Sequence, residues 1–275
     1  MDALHELNQQ LIGQLSPITH VSANQFFQGY SHRFKQAVFV KVFPYDHQTK
    51  FQTELAVERQ MGRQIILYRT TANAHYLVMN DEHPVALQRI TPVVAMSLGT
   101  CLAEFHTKIQ PFPGIKWQRQ PFERLQTIIS QLTDHAMQQQ LTEQLYRFIP
   151  VREAIEHDLA VAPVVCLHGD VGRRNFATVN GRLQLIDFER VQLGPAYQDV
   201  IKLFYQDFNQ DSALIRAFKT GYNRLSPLVD LPQRTRLLLT LLTAAGIYRY
   251  LDRFTDPNFR RCAETMLTNV ARFHL

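Results

Sequence analysis

The sequence predicts an α+β protein in two lobes, a small β-rich one followed by a larger helical one. Three observations lead there. Strand-like apolar segments crowd the first eighty residues, with one helical stretch among them. Helical periodicity dominates from about residue 93 onward. A polar segment from Leu167 to Glu189, flanked by short strand-like runs, interrupts the helical half.

Size and composition set the frame. A chain of 275 residues is long enough for one large domain or two intimate lobes. Hydrophobic residues at 45% and charged residues at 19% supply enough core to set disorder aside. The net charge of +5 is scattered, with Arg173-Arg174 and Arg260-Arg261 its densest spots. No run of five basic residues occurs, so no nucleic-acid partner is expected. Cys101, Cys166 and Cys262 are far apart and odd in number, which fits a reducing cytoplasm better than a disulfide framework. The longest apolar run, Leu237 to Ile247, is too short to span a bilayer, so no membrane partner is expected.

The elements follow in order. Leu4, Leu7, Leu11 and Ile12 fall at helical spacing, which predicts a helix over about 2–14 ended by Pro17. Ile18 to Phe27, His32 to Lys35 and Ala37 to Phe43 are predicted strands, with Gly29 in the first connection. Phe51 to Gly62 returns to helical period. Ile65 to Arg69 and Tyr76 to Met79 complete a five-stranded sheet. Val93 to His106 is a predicted helix, and 120–157 reads as two or three more. Val164 to Leu167, Phe176 to Val179 and Leu183 to Ile186 are predicted strands. Asn180-Gly181 joins the last two, since both positions of a tight hairpin favour residues that tolerate positive φ. Helices resume from Pro195, broken near Ser226-Pro227, Pro232 and Pro257. The domain boundary is expected at 80/81, with residues 1–80 as the β-rich lobe and 81–275 as the helical lobe.

The segment LHGDVGRRNFATVNGRLQLIDFE carries the chemistry. Asp170 follows a short apolar strand, and Asn175 ends a polar loop five residues later. The hairpin turns the chain back, so Asp187 returns beside the loop. Two carboxylates and an amide oxygen in one place make a hard-oxygen site suited to Mg²⁺. Phosphoryl transfer needs such a set: one carboxylate for the attacking hydroxyl, other oxygens for metal bridging the nucleotide phosphates. An aspartate, an asparagine five residues on and a further aspartate after a hairpin is also the protein-kinase spacing.

This pattern, HGDVGRRN followed by IDFE, resembles the aminoglycoside phosphotransferase / choline kinase superfamily. The segments GPAYQDVIKLF (Gly194 to Phe204) and LGTCLAEFHT (Leu98 to Thr107) also resemble pieces of that family, in the right order. The resemblance implies a protein-kinase-like two-lobed fold, ATP with Mg²⁺, and phosphorylation of a hydroxyl on a small molecule. It assigns Asp170 as catalytic, Asn175 and Asp187 as metal ligands, His168 as a loop support and Asp199 as structural.

The N-terminal half adds nucleotide contacts. Lys41 sits at the centre of the apolar strand VFVKVF, and Glu54 follows on the predicted helix, with Glu58 as the competing partner. In a kinase-like fold such a lysine contacts phosphates and a helix glutamate fixes it. The family often carries two adjacent glycines in its phosphate-covering loop. Here FQGYSHR offers Gly29 alone, with the backbone N–H groups of Gly29, Tyr30 and Ser31 as the expected contacts. That departure leaves ATP against GTP open. Tyr76 to Asn80 is expected to connect the lobes, with Met79 lining the base pocket and the backbone at Asn80 bonding the purine. The acceptor is left open between two kinds. A cationic one would need acids such as Glu189, Asp207 or Asp211, with Glu153, Glu156 and Asp158 as weaker candidates; Arg173 and Arg174 favour an anionic or neutral one. The alternative function is a nucleotide-binding pseudokinase without transfer activity.

Overall fold

The computed structural model describes residues 3–19, 23–117 and 119–273. Helix α1 (Ala3–Leu11) buries Leu7 and Leu11. It ends before the predicted residue 14 because Ile12 takes a left-handed backbone with φ 45°; residue 2 of that prediction lies outside the described residues. The chain enters strand β1 (Gly13–Ile18) directly, so Pro17 lies in an edge strand, where a missing N–H is tolerated. Of the strand predicted from Ile18 to Phe27, residues 20–22 lie outside the description. β2 (Gln25–Ser31) begins after them. Residues 32–35 form a turn rather than a strand, leading to β3 (Gln36–Pro44).

Helix α2 (Gln48–Met61) follows, then β4 (Ile65–Thr70) and β5 (Ala74–Asn80). The five strands form one antiparallel sheet in the order β1-β2-β3-β5-β4. The two-residue alternation of β3 sorts its side chains. Val38, Val40 and Val42 join Leu7, Leu11, Phe27 and Tyr76 in one cluster. Phe43, with Phe39 beside it, packs on Phe51 and Leu55 of α2. Lys41 shares the α2 side, which brings it to Glu54.

A stretch containing the short strand β6 (Val85–Ala86) leads to α3 (Pro92–Lys108), whose N-terminus is capped by the Thr91 hydroxyl. After β7 (Lys116–Trp117) come three helices: α4 (Pro121–Ser130), α5 (His135–Phe148) and α6 (Arg152–Val161). β8 (Val164–Leu167) precedes the polar loop, and β9 (Phe176–Val179) and β10 (Arg182–Leu185) form the expected hairpin. Asn180 and Gly181 at its tip have φ of 50° and 76°. β11 (Gln192–Pro195) pairs with β8 and β7. It opens into α7 (Tyr197–Lys202), which continues as a π-helical turn to Asp207. Three helices complete the lobe: α8 (Ser212–Tyr222), α9 (Gln233–Leu251) and α10 (Pro257–Ala271). α9 is the central one, burying Leu238, Leu241, Ala244 and Ile247 against α4, α5 and α10. Among the described residues, no helix is long and apolar enough to cross a membrane.

Candidate active site

A cavity of about 820 Å³ opens between the sheet and the helices. Asp170, Asn175 and Asp187 all line it, as do Lys41 and Glu54. The polar loop is held from behind by one buried carboxylate. Asp199, on α7, accepts hydrogen bonds from the backbone N–H of His168 (2.6 Å) and of Gly169 (2.8 Å). It also meets His106 Nε2 of α3 at 3.0 Å, and His106 Nδ1 meets the Tyr222 hydroxyl at 2.7 Å. Gly169 has φ +79°, and a Cβ there would sit 2.3 Å from the Arg190 carbonyl oxygen, so glycine is required.

His168 is fully buried, and burial lowers its pKa, so it is neutral. Its Nε2 faces the Ile186 carbonyl at 3.0 Å and therefore carries the proton, while Nδ1 accepts from the Asp170 N–H at 3.3 Å. The ring thus ties the loop to the end of the hairpin and has no free proton to exchange. The Asn175 amide nitrogen donates to the Asp170 carbonyl at 2.8 Å. Because a carbonyl only accepts, this fixes the amide orientation and leaves Asn175 Oδ1 for a cation. The Ile186 N–H donates to the Asn175 carbonyl at 3.0 Å, which places Asp187 next to this loop. Asp187 has φ 68°, a left-handed backbone that non-glycine residues seldom adopt.

Lys41 Nζ lies 3.0 Å from Glu54, 2.5 Å from Asp187 and 3.6 Å from Glu189. Burial lowers the lysine pKa, but Glu54, Asp187 and Glu189 together outweigh it and hold the ammonium well above its ordinary value. Burial raises the Asp187 carboxyl, yet Lys41 reverses that and keeps it ionised. Between the two glutamates expected to compete for Lys41, Glu54 makes the pair and Glu58 meets Arg63 at 3.4 Å. No group of three His, Cys, Asp or Glu side chains among the described residues is arranged to hold a metal alone. Mg²⁺ asks for less, one or two carboxylates completed by phosphate oxygens and water, and an ionised Asp187 with Asn175 Oδ1 fits that demand.

Asp170 stands among cations. Lys202 of α7 bonds one carboxylate oxygen, and Arg174 reaches the other at 3.0 Å, with Arg190 at 3.9 Å. Burial raises the Asp170 carboxyl, but Lys202, Arg190 and Arg174 together hold it well below the usual carboxylate range. It is therefore an ionised hydrogen-bond acceptor and a weak base. Lys202 and Arg190 were not singled out from the sequence. A lysine three residues after Asp199, inside the apolar run VIKLF, is the signal that marks Lys202.

Four expectations need correction. Gly29, Tyr30 and Ser31 do not line the cavity. Gly29 lies within β2, paired with Leu15 of β1, where a Cβ would approach the Gln14 carbonyl oxygen to 2.2 Å. The glycine serves strand packing, Tyr30 is exposed, and the buried Ser31 hydroxyl donates to the Leu11 carbonyl at 2.7 Å. From this part of the sheet, Ile18 at the end of β1 and Ala23 just before β2 line the wall instead. Second, residues 76–80 belong to β5 and do not form a connecting segment. Met79 and Asn80 both line the cavity. Third, the Asn80 N–H donates to the Gln64 carbonyl at 3.1 Å, so it is not free for a purine. Fourth, the acids expected to receive a cationic acceptor are engaged or remote. Glu189 lines the cavity but bonds Asn24, Lys50 and Lys41. Asp207 accepts from the Arg173 N–H, Asp211 caps α8, and Glu156 and Asp158 pair with Arg152 and Arg234. With Glu153 these five are absent from the cavity wall, as is Arg173.

Comparison with known proteins agrees with this geometry. A family model described as the phosphotransferase enzyme family matches residues 15–238. No curated protein matches the chain. Among solved structures, the chain is similar to an amicoumacin kinase in complex with AMP-PNP, Ca²⁺ and Ami: TM-score 0.67, 12% identity, 98% of this chain and 93% of that one. It is similar to an ethanolamine kinase of Plasmodium vivax at TM-score 0.66 and 12% identity, covering 94% and 82%. It is similar to aminoglycoside phosphotransferase APH(4)-Ia at TM-score 0.67 and 15% identity, covering 98% and 97%. At these identities the likeness establishes a shared fold.

Proposed function

The chain belongs to the phosphotransferase enzyme family, and on that premise we propose that it is an ATP- and Mg²⁺-dependent kinase acting on a hydroxyl of a small molecule. The observation that carries this reading is the meeting of Asp170, Asn175, Asp187 and the Glu54-paired Lys41 at one cavity.

The lobe of residues 1–80 cradles the nucleotide. Met79 lines the base pocket, and the connection after β5 supplies the polar contacts to the base. The Glu82 N–H, which has no protein acceptor among the described residues, takes the place expected of Asn80. Lys41, held in position by Glu54, donates to phosphate oxygens. Asn175 Oδ1 and the Asp187 carboxylate would hold the metal. When bound, Mg²⁺ neutralises charge on the phosphate oxygens and aligns the terminal group.

The lobe of residues 81–275 presents the acceptor. Asp170 accepts a hydrogen bond from the attacking hydroxyl and fixes its line of approach. The oxygen–phosphorus bond to the acceptor forms as the bond to the leaving ADP oxygen breaks. The hydroxyl becomes strongly acidic only as that bond forms, so a weakly basic Asp170 suffices to take the proton late. Lys202 and Arg174, already on Asp170, add positive charge where the transferring group passes.

ATP turnover against a panel of hydroxyl metabolites tests the reading. Wild type is expected to release ADP in an acceptor- and Mg²⁺-dependent manner, and Asp170→Asn to lose transfer while still binding nucleotide. Equal turnover by the two proteins would remove Asp170 from the mechanism. Nucleotide binding by the wild type with no acceptor-dependent turnover would favour the pseudokinase alternative.

A further inference from the structure

The wall of the cavity facing away from the sheet is basic. Arg124 on α4, Arg249 on α9 and Arg253 in the turn after α9 line it, alongside Ile128, Thr243 and Tyr250. No carboxylate lines the cavity from α4, α9 or α10 among the described residues. Two acids elsewhere on the cavity wall are already engaged: Asp170 by Lys202 and Arg174, Asp199 by His106 and the loop N–H groups. Arg124, Arg249 and Arg253 make no ion pair and no side-chain hydrogen bond among the described residues.

Arg124 is the informative member. One of its terminal guanidinium nitrogens is sealed from solvent with no hydrogen-bond partner. Burial, with Arg249 adding like-charge repulsion, lowers its pKa to about 10. A half-buried cation set beside another, without a counter-ion, is unfavourable unless a ligand supplies the negative charge. The wall is also near the reaction centre. Arg174, paired to Asp170, is close enough to the Tyr250 phenol of α9 to be influenced by it.

We propose that the acceptor alcohol is itself an anion, carrying a phosphate or carboxylate that docks between Arg124 and Arg249, with Arg253 at the rim. Its hydroxyl then meets Asp170. This rests on the phosphotransferase reading and narrows its substrate class. A planar guanidinium pair matches the two-oxygen face of either group. A polycationic acceptor would meet three unpaired arginines and no carboxylate on this wall.

The test uses the whole protein saturated with Mg²⁺ and a non-hydrolysable ATP analogue, so that the nucleotide's own phosphate sites are filled. Glucose 6-phosphate and gluconate are compared with glucose and glucosamine by thermal shift and calorimetry. Both anions, or one of them, are expected to bind more tightly than glucose, and glucosamine more weakly. The first pair also tells phosphate from carboxylate. Arg124→Gln and Arg249→Gln, separately and together, should weaken the anion roughly 10–100-fold, as for a lost charged hydrogen bond. Nucleotide affinity should stay unchanged, which also reports that the variants fold, and Arg124→Lys should recover part of the loss. Neither anion binding better than glucose, or a bound anion indifferent to both substitutions, overturns the proposal. The kinase reading is judged separately, by acceptor-dependent turnover of ATP with any acceptor class.

Discussion

Replacing Lys41 by methionine removes a cation that is 2% exposed and holds Glu54 at 3.0 Å, Asp187 at 2.5 Å and Glu189 at 3.6 Å. Methionine nearly preserves the length and volume, so the loss is electrostatic. Glu54 bears most of it, because it is as deeply buried as the lysine; burial raises its carboxyl and Lys41 is the main influence opposing that. Breaking one partner out of a buried pair costs about 3–5 kcal/mol. For a chain of this size that is a fall in Tm of roughly 6–20 °C. The deficit should depend on pH with a definite sign. A carboxyl whose folded pKa is raised contributes stability that is complete below its unfolded value, near ~4.3, and lost as pH rises through the folded value. The Lys41→Met deficit is therefore smallest near pH 5 and largest near pH 8. Adding Glu54→Leu replaces the pair by apolar side chains and should restore most of the loss. Thermal melts and urea titrations of the wild type, the single variant and the double variant at the two pH values make the comparison. A single variant that melts with the wild type at pH 8, or a double variant no better than the single one, would refute the reasoning.

Two further outcomes are expected. Gly29→Ala should cost about 1–3 kcal/mol, because its Cβ would meet the Gln14 carbonyl oxygen, and should leave the nucleotide Kd of the folded protein unchanged. A weakened nucleotide Kd with an unchanged melt would return Gly29 to the phosphate loop. The Glu58 carboxyl is pushed up by burial to about 8 despite Arg63 nearby. Its folded value lies above the unfolded one, so the wild type loses stability as pH rises through about 8. Glu58→Gln lacks that titration, and differential scanning calorimetry from pH 6 to 9 should show the melting difference moving in the variant's favour. A difference independent of pH would count against it.

The parts of the site carried by local geometry were legible in the sequence. Asn180-Gly181 demands a tight hairpin, and a tight hairpin of this length returns Asp187 to the loop that holds Asn175. Alternation in VFVKVF puts Lys41 opposite its flanking valines and toward the helix bearing Glu54. What the sequence hid is set by contacts between distant segments. Gly29 looks like a loop glycine, yet it is needed where β1 crosses close to β2. Ile12 continues the helical pattern of α1, but a left-handed backbone stops the helix there. The Asn80 N–H looks free in the sequence, yet the Gln64 carbonyl just before β4 accepts its hydrogen bond. Lys202 comes from α7 and Arg190 from the turn before β11, so their approach to Asp170 depends on how segments distant from the loop pack around it. The arginines of α4 and α9 are separated by more than a hundred residues, and only the helix packing gathers them on one wall.

The central claim is a division of labour, in which Asn175 and Asp187 hold the cation and Asp170 faces the acceptor. Calorimetric affinity for a non-hydrolysable ATP analogue, with and without Mg²⁺, tests it in the wild type and in Asn175→Ala, Asp187→Ala and Asp170→Asn. The first two variants should lose the Mg²⁺-dependent gain in affinity, while Asp170→Asn keeps it. A gain that survives in Asp187→Ala, or one that disappears only in Asp170→Asn, would contradict the account.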